Sequence, residues 1–186
     1  GPMKLGRYFA AGLVLAVALG WTVPADAAKR VALVIGTDKY ATLPNLNNAA
    51  TDARGIAAKL KSLGFDVILR RNASRRDFAR ALDDFEGRLS QAEVGLVFYA
   101  GHGIQAQGKN WLIPADARVE TEADLRYEGI SANDFLEAME RAGTQLNIVI
   151  LDACRDNPLP KRSRSAARGL AVPIIPAGIK GTAILY

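Results

Sequence analysis

The stretch VGLVFYAGHG, residues 94–103, decides the fold. Its first seven residues form a continuous run of strand-forming side chains, which is the pattern of a strand buried on both faces of a sheet. The run leads into His102, the one histidine of the chain, which has Gly101 and Gly103 on either side. Glycine has no Cβ, so another backbone can approach closely at these positions. We therefore predict a buried strand that ends at the histidine.

Two more apolar runs share this pattern. KRVALVIGT spans residues 29–37, and LNIVILDA at residues 146–153 ends at Cys154, the one cysteine of the chain. Both lack the period-two alternation of a half-buried strand, so both predict strands of a parallel sheet. Further strands are indicated at FDVILRR (65–71), at TAILY (182–186) and, as a short extended piece, at NWLIP (110–114).

Segments with helical periodicity separate the strands. Apolar side chains recur at helical spacing across residues 49–63, 78–89 and 135–139. The last two segments follow capping patterns, Ser74 with Asp77 and Ser131 with Asp134. Strands that alternate with helices predict an α/β fold, a mostly parallel central sheet flanked by helices in three layers, α/β/α.

The composition favours one globular domain and argues against several kinds of site. An apolar fraction of 49% is enough for a substantial core. One cysteine excludes an intramolecular disulfide, and one cysteine with one histidine argues against a structural zinc site, which takes four ligands. The net charge is +5, and four basic residues lie together at Lys161, Arg162, Arg164 and Arg168. A surplus this local does not indicate a nucleic-acid partner.

The first 28 residues indicate a secretory signal peptide behind a two-residue expression remnant, Gly1–Pro2. Lys4 and Arg7 form a basic start, and residues 9–21 are an uncharged apolar run. ADA at residues 25–27 is a small-residue cleavage site. An uncleaved membrane anchor is the alternative, but the run is shorter than the roughly 20 residues of a span. We expect a mature domain at residues 29–186, secreted or periplasmic, that meets a membrane only if the leader stays attached.

His102 and Cys154 both follow buried strands, at the sheet edge where the sites of parallel sheets form. A lone histidine is usually a surface or core residue, and a lone cysteine is usually a small buried hydrophobe. Together they have a chemical use, because a thiol needs a base or a positive field to become a thiolate and an imidazole supplies both. The backbone amides near these residues are candidates for an oxyanion hole. The pair indicates a Cys-His nucleophilic site.

These residues also carry a family resemblance. VFYAGHGIQ (97–105) with IVILDACRDNP (148–158) resembles the catalytic pair of the caspase-like cysteine peptidases, in particular bacterial members close to metacaspases and paracaspases. The pair is 52 residues apart, which agrees with the spacing of about 50 in that family. RVALVIGTDKY (30–40) and LPNLNNAATDARGIAAKL (43–60) resemble the opening strand, loop and first helix of the family.

The resemblance implies a role for each matching position. Cys154 would be the nucleophile, His102 the general base and acid, and the amides of Gly103 and Cys154 the oxyanion hole. Asp52 and Asp152 would form an acidic pocket that holds an arginine or lysine just before the scissile bond, by charge-assisted hydrogen bonds. The alternatives are a helix-start acid favoured by the macrodipole for Asp52 and a strand-end turn former for Asp152.

The chain departs from the family pattern in its acidic residues. Calcium-dependent metacaspases carry a cluster of acids where this chain has Ser, Ala and Asn at residues 131–133 and Lys161 further on. Asp116 and Asp134 remain, but calcium takes six or more oxygen ligands. We predict no calcium requirement, and no metal or other cofactor.

A second departure concerns the end of the sequence. The family normally continues after GTAILY with a small-subunit-like portion, so we expect either a truncated catalytic domain or a split-off partner chain. The loop PKRSRSAARG (160–169) occupies the place of the caspase processing linker. An acidic pocket would accept Arg162, Arg164 or Arg168, which makes them candidate self-cleavage sites. The alternative is a solvated surface loop.

The sequence thus predicts a cysteine endopeptidase that cleaves peptide or protein substrates after arginine or lysine. One alternative is a caspase-like scaffold or binding domain with little or no turnover. A weaker alternative is another thiol hydrolase on an α/β sheet, such as an acyl transferase.

Overall fold

The computed structural model describes residues 28–154, 158–159 and 181–185. The predicted leader and the three candidate self-cleavage arginines lie outside these residues. The elements, in chain order, are β1 (Arg30–Gly36), α1 (Ala49–Ser62), β2 (Asp66–Arg71), α2 (Arg75–Arg88), β3 (Val94–Ala106), β4 (Lys109–Leu112), a 3-10 turn (Glu122–Asp124), α3 (Leu125–Glu128), β5 (Ile130–Ser131), α4 (Ala132–Ala142), β6 (Leu146–Cys154) and β7 (Thr182–Leu185). None of the helices in the described ranges has the length and apolar character needed to span a bilayer.

The sheet is mixed and mostly parallel, as the sequence predicts. Five strands run parallel in the order β2, β1, β3, β6 and β7. The antiparallel strands β4 and β5 are added to the far end of β3. The long apolar runs therefore form the middle of the sheet, where both faces are covered.

The helices lie on both faces and complete the predicted three layers. Helix α1 packs its alanines and Leu60 against side chains of β1 and β3 that include Val34 and Phe98. Helices α2 and α4 cover the opposite face, where Phe85 and Phe135 pack against residues such as Leu33. The assignment to the α/β class is confirmed by this arrangement.

Serine caps begin α2 and α4. The Ser74 hydroxyl accepts from the Asp77 N–H at 3.1 Å while the Asp77 carboxylate accepts from the Ser74 N–H, which completes the predicted capping box. The Ser131 hydroxyl accepts from the Asn133 N–H at 3.3 Å. These caps satisfy N–H groups that a helix start leaves without intrahelical partners.

The prediction that the third strand ends at His102 is wrong. Strand β3 continues for four more residues to Ala106 and turns back into β4. Gln107 and Gly108 both have positive φ, 54° and 73°, and this backbone reverses a tight hairpin. His102 therefore lies within a strand, at the point where parallel pairing with β6 gives way to antiparallel pairing with β4.

Candidate active site

The backbone of His102 is held on the edge of β3 that faces away from β6. Its N–H donates to the Tyr40 hydroxyl at 2.8 Å. Its carbonyl accepts from the Tyr99 hydroxyl at 2.8 Å and from the Ile113 N–H at 3.2 Å. The loop after β1, the strand itself and the hairpin thus all fix the position of this one residue.

The imidazole of His102 is also tightly enclosed, with only 4% of the residue exposed. The Tyr40 ring packs against it with 4.6 Å between ring centroids. Nε2 lies 2.7 Å from the Pro44 carbonyl oxygen. A carbonyl only accepts, so Nε2 carries the proton and the lone pair of the neutral ring is on Nδ1. Nδ1 has no hydrogen-bond partner among the described residues.

The protonation state of His102 follows from its burial. Desolvation lowers the pKa of the imidazole below its usual 6.5, and the bond to the Pro44 carbonyl opposes this shift with a smaller effect. A neutral ring with an unprotonated Nδ1 is a base at neutral pH.

The strand register brings Cys154 to the same place. Cys154 ends β6, and its Cα is the register partner of His102 in the parallel β3–β6 pair. Neighbouring strands are about 4.8 Å apart, so the two backbones run side by side although 52 residues separate them. The predicted convergence of the two strand segments is therefore present in the backbone.

The backbone groups of Gly103 point towards the edge of β3 that pairs with β6. The carbonyls of Ala100 and His102 accept from Thr37 N–H and Ile113 N–H, on the β1 and β4 edge of the strand. Backbone groups alternate in direction along a strand, so those of Gly103 point to the opposite edge. That is the edge where β6 ends at Cys154.

The sequence predicts that another backbone approaches closely at Gly101. In the structure, two side chains lie beside it instead. A Cβ at this position would lie 2.5 Å from the Tyr99 hydroxyl and 2.7 Å from the Tyr40 hydroxyl. The space beside this glycine is thus filled by the two side chains that hold His102. Any larger residue here would push apart the contacts that place the imidazole.

The two predicted pocket acids share one cavity of about 270 Å³. Asp52 reaches it from the first turn of α1, and Asp152 reaches it from β6, two residues before Cys154. Residues 46–48 of the preceding loop, Ala49 at the start of α1, and Ala100, Gly101 and Ala153 complete the lining. Both acids are exposed. Residues a hundred positions apart in the sequence are therefore brought into one acidic pocket beside His102.

Several residues that support the site were missed from the sequence. The Asn72 side chain accepts from Asp38 N–H at 2.9 Å and from Lys39 N–H at 3.1 Å, and so fixes the start of the loop that carries Tyr40. Asn45 accepts from the Tyr40 N–H at 2.9 Å. The buried hydroxyl of Tyr99, within the apolar run, was the one available signal, because a buried tyrosine needs a hydrogen-bond partner.

The remaining acids singled out in the sequence, Asp116 and Asp134, belong to different structural elements. Asp116 accepts from the Arg75 N–H at 2.7 Å, at the start of α2. Asp134 lies in the first turn of α4, where burial raises the pKa of its carboxyl. Across the ranges that the structure describes, no group of three or more His, Cys, Asp or Glu side chains is placed to hold a metal ion.

Comparison with known proteins gives one family. A family model described as the caspase domain matches residues 29–174. Mucosa-associated lymphoid tissue lymphoma translocation protein 1 of Homo sapiens is 31% identical over 127 residues, which are 68% of this chain and 15% of that protein. Caspase b of Danio rerio is 33% identical over 88 residues, 46% of this chain and 22% of that protein. The chain thus corresponds to a small part of each of these relatives.

Solved structures share the fold. A crystal structure of protein GSU0716 from Geobacter sulfurreducens superposes with a TM-score of 0.51 at 19% identity, and covers 68% of this chain and 50% of that one. At this identity the similarity shows only a shared fold, that is, the architecture of the sheet and its helices.

Proposed function

The chain belongs to the caspase-domain family, and from this membership we propose that it is a cysteine endopeptidase in which Cys154 is the nucleophile and His102 its base. The observation that carries the proposal is the register of β3 and β6, which makes these two residues Cα partners. Nδ1 of the neutral, buried imidazole has no hydrogen-bond partner among the described residues, and this supports the proposal, because a general base needs an unprotonated nitrogen.

The reaction proceeds in two halves. Nδ1 of His102 takes the thiol proton, and the Cys154 thiolate attacks the peptide carbonyl carbon to form a tetrahedral oxyanion. The amides of Gly103 and Cys154 donate to that oxygen. The imidazolium then protonates the leaving amine, which leaves a thioester. Water gives a proton to Nδ1 and attacks the thioester. The departing thiolate takes that proton back, so the acid product is released and the free thiol and neutral imidazole are restored.

The Pro44 carbonyl gives the base its orientation. It fixes the ring by accepting from Nε2–H, and it stays in place when Nδ1 is protonated. The imidazolium formed during the reaction therefore keeps one hydrogen bond to the protein and has its second N–H available for the leaving group.

The pocket supplies the proposed specificity for a basic side chain. Asp52 and Asp152 present two carboxylates in one cavity and would bind a guanidinium or an ammonium group by charge-assisted hydrogen bonds. A substrate with arginine or lysine before the scissile bond would place its carbonyl next to the paired positions of β3 and β6 that carry His102 and Cys154.

Peptide hydrolysis tests the proposal. Fluorogenic peptides that end in Arg, Lys or Asp are assayed with the wild-type protein and with Cys154→Ala, in the presence and absence of EDTA. We expect cleavage after Arg and Lys by the wild type alone, and no loss of rate with the chelator. Preference for the Asp peptide would refute the acidic pocket. A folded wild-type protein that cuts none of the peptides would favour the scaffold alternative.

We further propose that the protein is exported and that it cuts its own basic loop at Arg162, Arg164 or Arg168. The support is the leader sequence and the basic residues after the nucleophile strand, which match the specificity proposed for the pocket. Mass spectrometry of the full chain after incubation tests the second point. An intact loop in a preparation that cuts a basic peptide would contradict self-cleavage.

A further inference from the structure

Asn48 stands at the start of α1 but does not cap it. Asparagine is among the preferred N-cap residues because its side-chain oxygen accepts a free N–H of the first turn. Here the backbone has φ −130° and ψ −8°, and the side chain makes no capping hydrogen bond. Ser74 and Ser131 do cap their helices. The amide of Asn48 is therefore not used to stabilise its own helix.

Asn48 also lines the acidic pocket. Asn48 and Asp52 both border the cavity, and Asp152 borders it from the sheet. The Asp52 N–H donates to the Asn48 carbonyl oxygen at 2.8 Å, so the two residues are one closed helical turn apart. Residues at this spacing lie next to each other on one face of a helix. Asn48 is exposed, so its side chain is not fixed by core packing.

We propose that Asn48 is a specificity-determining residue whose side-chain oxygen binds a guanidinium held between Asp52 and Asp152, and so selects arginine over lysine. The inference rests on the proposed function of the pocket. A guanidinium has five N–H donors in a planar fork that point in different directions, so a third acceptor can bind an N–H group that the two carboxylates do not face.

Lysine gains less from a third acceptor. Its ammonium is a compact point charge that stays strongly hydrated, and two carboxylates balance it without further help. The neutral Asn48 oxygen adds a hydrogen bond to the wide fork of arginine and little to the ammonium. We expect this one bond to change the preference for arginine about tenfold.

Peptide binding to the inactive Cys154→Ala protein tests the inference independently of peptide hydrolysis. The affinity of Cys154→Ala for acetylated peptides that end in argininamide or lysinamide is measured by calorimetry, with and without Asn48→Ala or Asn48→Ser. Serine is itself a favoured N-cap residue but has a shorter side chain, so the second variant keeps any capping role and removes the reach into the pocket. Thr51→Ala, an exposed neighbour on α1 outside the pocket lining, is the matched control.

We expect both Asn48 variants to lower the arginine-to-lysine affinity ratio about tenfold, at an unchanged melting temperature. The Thr51 variant should leave the ratio as it is. An unchanged ratio in the Asn48 variants, or failure of Cys154→Ala to bind either peptide, would overturn the inference. A wild-type protein that cleaves neither peptide, while its Cys154→Ala form binds arginine through Asn48, would refute the peptidase and keep the inference.

Discussion

The proposed base and the proposed specificity pocket are neighbours, yet they are built in opposite ways. His102 is 4% exposed, and its ring and backbone are both held by other residues. Asp52 and Asp152 are exposed side chains on the wall of an open pocket. The position of His102 therefore depends on the whole fold. The charge of the pocket depends on exposed side chains that can be substituted without disturbing the fold.

The largest effect should come from the two register partners of β3 and β6. His102→Ala and Cys154→Ala should each lower kcat/KM for an arginine peptide by about 10³-fold or more, since neither proton transfer nor nucleophilic attack remains. Circular dichroism and thermal melts show whether each variant is folded. A folded His102→Ala protein with near wild-type turnover would remove the base from its proposed role.

The pocket acids should give a smaller loss that leaves the fold intact. Asp52→Asn and Asp152→Asn should each lower kcat/KM for the arginine peptide by about 10- to 100-fold, because each removes a charged hydrogen bond to the substrate. Their melting temperatures should match the wild type, since both side chains are exposed. Asp83→Asn, an exposed acid on α2, is the control. Equal losses in all three variants would mean a general electrostatic effect.

Removal of one hydroxyl that positions the base should cost less. Tyr40→Phe keeps the ring against the imidazole and removes the acceptor of the His102 N–H. We expect kcat to fall about fivefold, which corresponds to about 1 kcal/mol, at an unchanged KM. Tyr127→Phe, at a tyrosine that is 68% exposed, is the matched control. A rise in KM with constant kcat would place Tyr40 in substrate binding instead.

The smallest effect should be the pH dependence of activity, which depends directly on the burial of His102. Since burial lowers the pKa of His102 below 6.5, activity should persist below pH 6.5 and fall only as pH drops through the lowered value. NMR titration of the one imidazole in the chain measures that value without turnover. A titration midpoint at or above 6.5 would contradict the described burial.

The same shift predicts a dependence of stability on pH. Between the lowered folded value and 6.5 the unfolded chain binds more protons at His102, so the free energy of unfolding rises with pH across that window. The contribution is complete above 6.5 and is lost as pH falls. Denaturant unfolding from about pH 7 to about pH 5 should show this slope in the wild type, and a smaller slope in His102→Asn.

The sequence predicted the parallel sheet well because its evidence is local. Continuous apolar runs mark β1, β3 and β6, and the Ser74 box marks the start of α2. The hairpin after His102 was missed because the strand was predicted to end at that residue, whereas its turn lies further on, at Gln107 and Gly108. The Tyr40 contact with His102 joins residues 62 positions apart. No local pattern encodes such a contact.

The lateral pairing of β3 and β6 also determines which changes the site tolerates. Insertions in the exposed turns between these strands alter the length of the intervening chain but not the register of the two strands. Such changes should be accepted during divergence, as loop-length variation is in other proteins. A slip of a single position in the pairing would separate the two residues and turn side chains to the wrong face, so the ladder itself is the part that selection must conserve.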